Sequence, residues 1–466
     1  MTRLALNSLG RLLASLPVAA VRGIACAAGF LIYFALRHRR RASLRALHGA
    51  FPQMTERQRR AILRESCARL VEMGLFLVAS PFFSERRLRA TLTIAPDQLE
   101  FLRDHIGTES HHPTVFLVPH FTLSEALTLL PLLLPFDMGP TAVVFRPVAQ
   151  PALDSWVRET RERFGAKLIS RRTGFSEVSR TLEENGNAAI LFDQSAGGKG
   201  ALITMFGWLA SATELPGLLA SRHRARTLIF YPERTGFWQA RLKFAEVQAT
   251  TPTEIALEAH RWLENHLASS ADRCADWLWL HDRWGIEDKP GNRFHLRLKR
   301  NRLAVSNRFH GYESTPRRTR LWIGVPEDSD SRRELAPLLK AIREHRPDMA
   351  VTLVTPEGAR SELESSGLVE RLITPPPSGL RRLRYFWKLR REYPDVFLVL
   401  TEHRAGDLEA WLTRAPQRFG IRRPGRPRPF LTAPPKNAAP IPPGQDRATE
   451  WETLLHQHGL PRTRQD

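Results

Sequence analysis

The sequence predicts an α/β protein of two units, a larger one built on a largely buried sheet and a smaller one after it, with an apolar helix ahead of both. Three observations predict this. Short β-rich runs alternate with helical stretches between Thr114 and Phe244, the alternation resumes between Arg320 and Leu400, and Gly23 to Leu36 is uncharged and mostly apolar. Sheets layered with helices around a buried core produce that texture. With 466 residues, 42% hydrophobic and 25% charged, the chain is globular in composition and long enough for two or three domains.

The apolar run (GIACAAGFLIYFAL) is followed at once by Arg37, Arg39, Arg40, Arg41 and Arg45, the flank that membrane proteins keep on the cytoplasmic side. Its 14 residues fall short of a span, and counting back through Arg22 to Leu12 reaches the needed length with one charge inside. A cleaved signal peptide fits poorly, because the positive charge follows the apolar run and no small-residue cleavage site comes next. Residues 1–45 are therefore expected to form an uncleaved anchor or an interfacial helix with a basic flank, with a buried core helix as the competing reading.

Residues 54–79 carry Ile62, Leu63, Cys67, Leu70, Val71, Met73 and Leu75 at helical spacing, an amphipathic helix. The strand candidates of the first unit (46–288) are 114–119, 141–145, 188–193, 227–232 and 240–244. Residues 289–318 are rich in Lys and Arg and show no sustained periodicity, so they read as a solvated basic linker. The second unit (319–435) has strand candidates at 320–325, 350–355 and 395–400 with helical segments near 332–346 and 380–392. Prolines crowd 422–443 and disfavour regular structure, leaving 436–466 as a tail with a short helix at about 448–458.

The chain carries 69 Lys and Arg against 48 Asp and Glu, a formal net charge of +21. An anionic partner is implied: nucleic acid, an anionic membrane surface or an acidic protein. No nucleic-acid-binding motif accompanies the charge, which disfavours the first. Cys26, Cys67 and Cys274 match neither metal-ligand spacing nor a disulfide framework, so they read as packing thiols in a reducing compartment, with no metal site.

The stretch most informative about chemistry is VFLVPHFTLSEALTLL, in which a strand delivers His120 into a turn and Glu125 follows on the first turn of a helix. Acyl transfer to an alcohol needs a base at the acceptor hydroxyl, and imidazole suits neutral pH. A carboxylate can hold the ring in one tautomer and stabilise the imidazolium. By this reading His120 is the base and Glu125 its orienter; the alternative is a helix cap with a carboxylate complementing the helix dipole.

In context these residues closely resemble the late acyltransferases of lipid A biosynthesis, the lauroyl and myristoyl transferases. The matching blocks are the apolar N-terminal helix with its Arg run, Phe51 to Thr55, the His120/Glu125 pair, Phe145-Arg146-Pro147, Arg161 to Gly165, Asp193-Gln194, Phe206-Gly207, Thr213 and Trp279 to Trp284, across residues 1–288. The resemblance implies a glycerolipid-acyltransferase-like fold with a mixed sheet flanked by helices, an acyl carrier protein thioester as donor, a hydroxyl of a lipid A precursor as acceptor, no cofactor, and residence on the cytoplasmic face of the bacterial inner membrane by a single N-terminal anchor or as a monotopic protein. It makes Arg146, Arg161 and Arg163 candidates for the oxyanion or for phosphates, against surface ion pairing as the alternative. Asp193 and Gln194 become candidate substrate ligands, against a turn-forming role. The Trp279 to Trp284 block reads as packing or membrane-interface anchoring. Many family members have Gly-Asn after the His-Phe pair, where this chain has Thr122-Leu123, which bears on acceptor choice.

Residues 319–435 are similar, more weakly, to the N-terminal half of a heptosyltransferase-type GT-B glycosyltransferase, a Rossmann-like α/β unit. The family's Gly-Asp loop is replaced by Gly324-Val325-Pro326-Glu327-Asp328, so this unit reads as a degenerate or accessory module. The alternatives for the whole chain are a bifunctional acyl- and glycosyltransferase of lipopolysaccharide assembly and an acyltransferase acting on another membrane lipid.

Overall fold

The computed structural model describes residues 2–106, 112–171, 174–285, 290–296, 300–359, 367–436 and 438–461. It divides into two compact units, Met1–Ala196 with Ser211–Arg283, and Gly197–Ala210 with Trp284–Asp466. The expected boundary at 288/289 lies outside the described residues.

The first unit begins with four helices: α1 (Thr2–Ser15), α2 (Val18–Ala35), α3 (Arg37–Ala50) and α4 (Glu56–Ala79). Pro17 is the N-cap of α2, with extended backbone, so the apolar run does not extend back to Leu12 as one helix. The break has a simple cause: the residue before a proline is pushed out of the helical region. Among the described residues α2 alone has the length and apolar content to cross a membrane. Its buried stripe is narrow, Val21, Ala25, Gly29 and Tyr33, and packs on α4, where a Cβ on Gly29 would lie 2.5 Å from the Ala68 Cα. Helix α4 starts with a capping box, Thr55 and Gln58 exchanging side-chain and backbone bonds. Cys67 and Cys274 are buried as expected, whereas Cys26 is exposed on α2.

The core of this unit is a seven-stranded sheet. Its strands are β1 (Leu92–Thr93), β2 (Thr114–Val118), β3 (Thr141–Phe145), β4 (Ala166–Ser170), β5 (Asn187–Leu191), β8 (Arg226–Gly236) and β9 (Gln239–Glu246), in the order β1-β9-β8-β2-β5-β3-β4. All neighbours are parallel except β8 and β9, which form an antiparallel hairpin. Strand β2 is buried throughout, as its unbroken apolar run requires in a parallel sheet covered on both faces. Helices flank the sheet, including Pro151–Glu162 and Pro252–Ala268, so the predicted mixed α/β sheet is what forms.

The second unit takes in β6 (Ala201–Met205) and most of β7 (Trp208–Ala212). These are joined by Phe206 and Gly207 at φ 52° and 74°, the positive pair that a tight hairpin turn of the I′ type needs. The hairpin packs on the helix Arg300–His310: Ser306 Oγ accepts from the Thr204 N–H at 2.9 Å, and Arg320 lies over the Trp208 ring. The basic stretch read as a linker thus holds a helix and buries Phe294 and Leu296. The rest is a parallel sheet of β10 (Thr319–Gly324), β11 (Met349–Val354), β12 (Arg371–Ile373), β13 (Val396–Val399) and β14 (Gln417–Gly420), ordered β12-β11-β10-β13-β14. That is the Rossmann-like arrangement, in which the order reverses beside the first strand. The Pro-rich segment is irregular yet packed, with Leu431 and Ile441 buried and Arg428 paired to Asp407. The last helix is Arg447–Gln457.

Because α2 meets α4 backbone to backbone at Gly29, Gly29→Ala should lower stability by about 1–3 kcal/mol through overpacking. Gly23 has nothing within 4 Å of a Cβ, so Gly23→Ala should be neutral or slightly stabilising. Thermal unfolding of the two variants checks this; equal effects would remove the close approach as the explanation.

Candidate active site

Strands β2 and β5 are neighbours in parallel register, with Val118 opposite Leu191. Two residues beyond these partners, at the carboxyl ends of the strands, stand His120 and Asp193. The register alone brings them level, and the side chains close the gap. Asp193 accepts from the His120 backbone N–H at 2.8 Å and from ring Nδ1 at 2.5 Å. Trp277 Nε1–H donates to the same carboxylate at 2.6 Å. Burial pushes the Asp193 carboxyl up, but the charge of His120 and these donated bonds outweigh it and leave the group at about 2. Asp193 is therefore ionised at neutral pH, Nδ1 carries the donated proton, and Nε2 is the ring nitrogen left to act as a base.

The expected partner of His120 is corrected by this geometry: Asp193 holds the ring, not Glu125. Glu125 lies in the helical turn Ser124–Leu129 and is gripped by Arg161 from the last turn of Pro151–Glu162. Arg161 Nε donates to Glu125 Oε2 at 2.7 Å, and Nη2 bonds the other oxygen, a two-point fork that fixes both groups. Arg163 turns elsewhere: Nη2 donates to the Ser80 carbonyl at 3.1 Å, and the guanidinium lies 4.4 Å from the Phe164 ring centroid. Arg146 is exposed at the carboxyl end of β3, two strands from His120 and so about 10 Å away by strand spacing. Gln194 is half-buried beside Asp193. Of the seven candidates, the structure joins His120 to Asp193 and Glu125 to Arg161.

The sequence reading takes Trp279 to Trp284 as packing or anchoring and misses that this segment, with Trp277, backs the site. Residues 276–283 follow the helix Ala271–Asp276, and Trp277 pairs its backbone with Phe121. Trp279 is buried against Trp277 and Phe51, so it packs the interior and is not an interface anchor. His281 Nε2 accepts from the Ser195 N–H at 3.4 Å. Burial first, then the positive neighbours His120, Arg283 and Arg39, hold His281 down at about 4, hence neutral. Arg283 is fully buried, donating to the Ser211 carbonyl at 2.7 Å and to His260 Nε2 at 3.0 Å. Burial lowers it to about 10, with Asp193 opposing. The indole donors were visible in the sequence as a tryptophan-rich block, but nothing in their spacing says that one of them reaches a carboxylate 84 residues away. No group of three or more His, Cys, Asp or Glu able to hold a metal ion occurs among the described residues.

Behind the His120 turn, burial pushes the Asp276 carboxyl up to about 6 against the pull of Thr122, Arg69 and Arg234. Its Oδ1 has no hydrogen-bond partner, and Arg69 stands 3.7 Å away. A carboxyl whose folded pKa is raised favours the folded state below its unfolded pKa, and that contribution is lost as pH rises through the folded value. Wild-type stability should thus fall between pH 4 and pH 6.5 by an Asp276 contribution on the order of 1–3 kcal/mol. Asp276→Asn should flatten that interval and gain on wild type toward pH 7.5. Melting curves across the interval test it, and a stability difference constant with pH would exclude Asp276 as the titrating group.

The family model of bacterial lipid A biosynthesis acyltransferases matches residues 2–285. No curated protein matches the chain. Among solved structures the chain is similar in part to a glycosyl transferase family 9 protein from Veillonella parvula DSM 2008, at 19% identity and a TM-score of 0.26, over 31% of this chain and 42% of that one. A likeness of that size carries no argument about activity. The family match spans well over half of the sequence, including both strand ends that form the His120–Asp193 pair, and the chain belongs to the bacterial lipid A biosynthesis acyltransferase family.

Proposed function

We propose that the chain transfers a fatty acyl group from an acyl carrier protein thioester to a hydroxyl of a lipid A precursor, with His120 as general base. The observation that carries this reading is the held ring: with Nδ1 fixed on ionised Asp193, Nε2 is oriented to take the acceptor's proton. As the proton moves, the hydroxyl oxygen bonds to the thioester carbonyl carbon. The tetrahedral intermediate then collapses, the carbon–sulfur bond breaks, and the imidazolium returns its proton to the thiolate. Products are the ester and the free thiol, with no covalent acyl-enzyme. Asp193 stabilises the imidazolium through both stages. Neutral His281 adds no further positive charge beside it.

Glu125 and Arg161 act on this reading as positioning residues that tie the His120 turn to the helix Pro151–Glu162. Arg163 serves the same framework. Exposed Arg146 is the arginine assigned to an acceptor or donor phosphate, where a guanidinium fork fits. The second unit is assigned no chemistry of its own.

His120→Ala should lower turnover by about 10²- to 10⁴-fold with the fold retained. Asp193→Asn should also cut turnover steeply, by about 10²- to 10⁴-fold, because an amide there favours the wrong tautomer. Steady-state assay with acyl carrier protein thioester reads both, and a His120→Ala enzyme keeping a third of wild-type activity would sink the assignment. Mass spectrometry of lipid A from cells with and without the gene should show a difference of one acyl group.

A further inference from the structure

Helix α2 is long and apolar enough to cross a membrane, yet both of its ends are tied to the same folded body. On the N-terminal side, α1 docks on the helix Pro151–Glu162: Trp156 Nε1 donates to Asn7 Oδ1 at 3.0 Å, and Arg3 pairs with Glu159 at 2.5 Å. Where α1 ends, Arg87 Nη1 donates to the Ala14 carbonyl at 2.6 Å. On the C-terminal side, Ser43 of α3 donates to the Trp279 carbonyl at 2.9 Å. Between these anchors α2 runs antiparallel along α4, with Gly29 against Ala68 and the Tyr33 ring under Arg64. Beside Ala68, level with the middle of α2, Arg69 is paired to Asp272. One turn further on, Glu72 is bonded to Arg234 and to the Trp238 N–H. If α2 crossed a bilayer, these ion pairs and the body that carries them would have to enter the hydrocarbon with it, where charged groups are costly.

The outward face of α1 and α2 is nevertheless apolar. Nine of the fifteen large apolar side chains exposed among the described residues lie before residue 37, including Leu4 at 74%, Phe30 at 55% and Leu31 at 67%. On α2, Ile24, Phe30, Leu31 and Phe34 lie opposite the stripe of Val21, Ala25, Gly29 and Tyr33. Exposed Arg11 and Arg22 lie on α1 and α2, and exposed Arg37 and Arg39 follow directly on α3, in a chain of net charge +21. An apolar plane with a cationic border matches the interface of an anionic lipid leaflet.

We infer that α1 and α2 lie flat in one leaflet and that the chain enters the membrane from one side without crossing it. This goes beyond the acyltransferase reading. The test reads position and not turnover, so either can fail alone.

The test uses the full chain in vesicles containing anionic phospholipid. A nitroxide is attached to native Cys26, which is exposed on α2, and, in a Cys26→Ala background, to Ile24→Cys, Phe30→Cys or Phe34→Cys. Depth is read by power saturation with oxygen and a nickel reagent. The expected result is similar shallow depths at all four positions, about 5–10 Å below the headgroups. In inverted membrane vesicles, protease-cleavable tags at the two termini should both be cut. Depths that rise to about 15 Å near residue 26 and fall again, as a span of roughly 30 Å demands, would overturn the inference. So would tags on opposite sides. Phe30→Ser with Leu31→Ser should weaken vesicle binding by roughly tenfold or more, given their apolar area. Unchanged binding would show that this face does not meet lipid.

Discussion

The carboxylate of Asp193 is the point on which the site depends. It takes the His120 backbone N–H, the His120 ring and the Trp277 indole, so one buried charge sets the end of β2, the end of β5 and the path of residues 276–283. An ionised carboxylate in so dry a place is tolerable only because every donor is aimed at it. The same donors make the imidazole rigid. Rigidity spreads outward through Trp277, whose carbonyl accepts the Ser66 hydroxyl of α4 at 2.9 Å, and through Trp279, whose carbonyl accepts Ser43 of α3. The site and helices α3 and α4 are joined by main-chain carbonyls of one short segment.

Charge inside this basic protein is arranged in pairs. Glu72 with Arg234 fastens α4 to the β8–β9 hairpin, Arg69 with Asp272 fastens it to the helix before Trp277, and Arg161 with Glu125 spans the mouth of the His120 turn. Removing Arg234 or Asp272 would leave a buried partner, Glu72 or Arg69, less compensated in low dielectric, which costs more than such a pair contributes. Asp276 is only partly compensated and lies behind the His120 turn. Local rules are broken mainly where function constrains the structure, and this position fits that pattern.

Much of the fold was legible in the sequence because buried parallel strands are apolar without interruption. Residues 141–145 were read as a strand and form one, and 114–119, 188–193 and 350–355 are within a residue or two of their strands at the N-terminal end. The short or polar strands β1, β4, β12 and β14 were not legible, since their pairing comes from neighbours and not from their own pattern. The hairpin β6–β7 was hidden because its partner helix lies in a stretch whose arginines mask a helical period. In the site, His120 was visible from its strand-to-turn setting. Its partner was not, because spacing along the chain favoured Glu125, five residues on, whereas sheet order places β5 beside β2 and hands the ring to Asp193. Trp277 and His281 were beyond reach for the same reason: a contact across more than 80 residues is a property of topology.

That topology has a consequence for how the protein comes into being. Translation delivers α1 and α2 first, His120 later, Asp193 later still, and Trp277 after every strand of the seven-stranded sheet. The edge strand β1 must also wait for β9, some 150 residues downstream, before it can pair. Contacts of such separation form slowly. During that interval the nascent chain has its apolar N-terminal helices but not yet the pairing of β2 with β5 that brings His120 to Asp193, so on the membrane-bound reading proposed above those helices are available to lipid before the site exists.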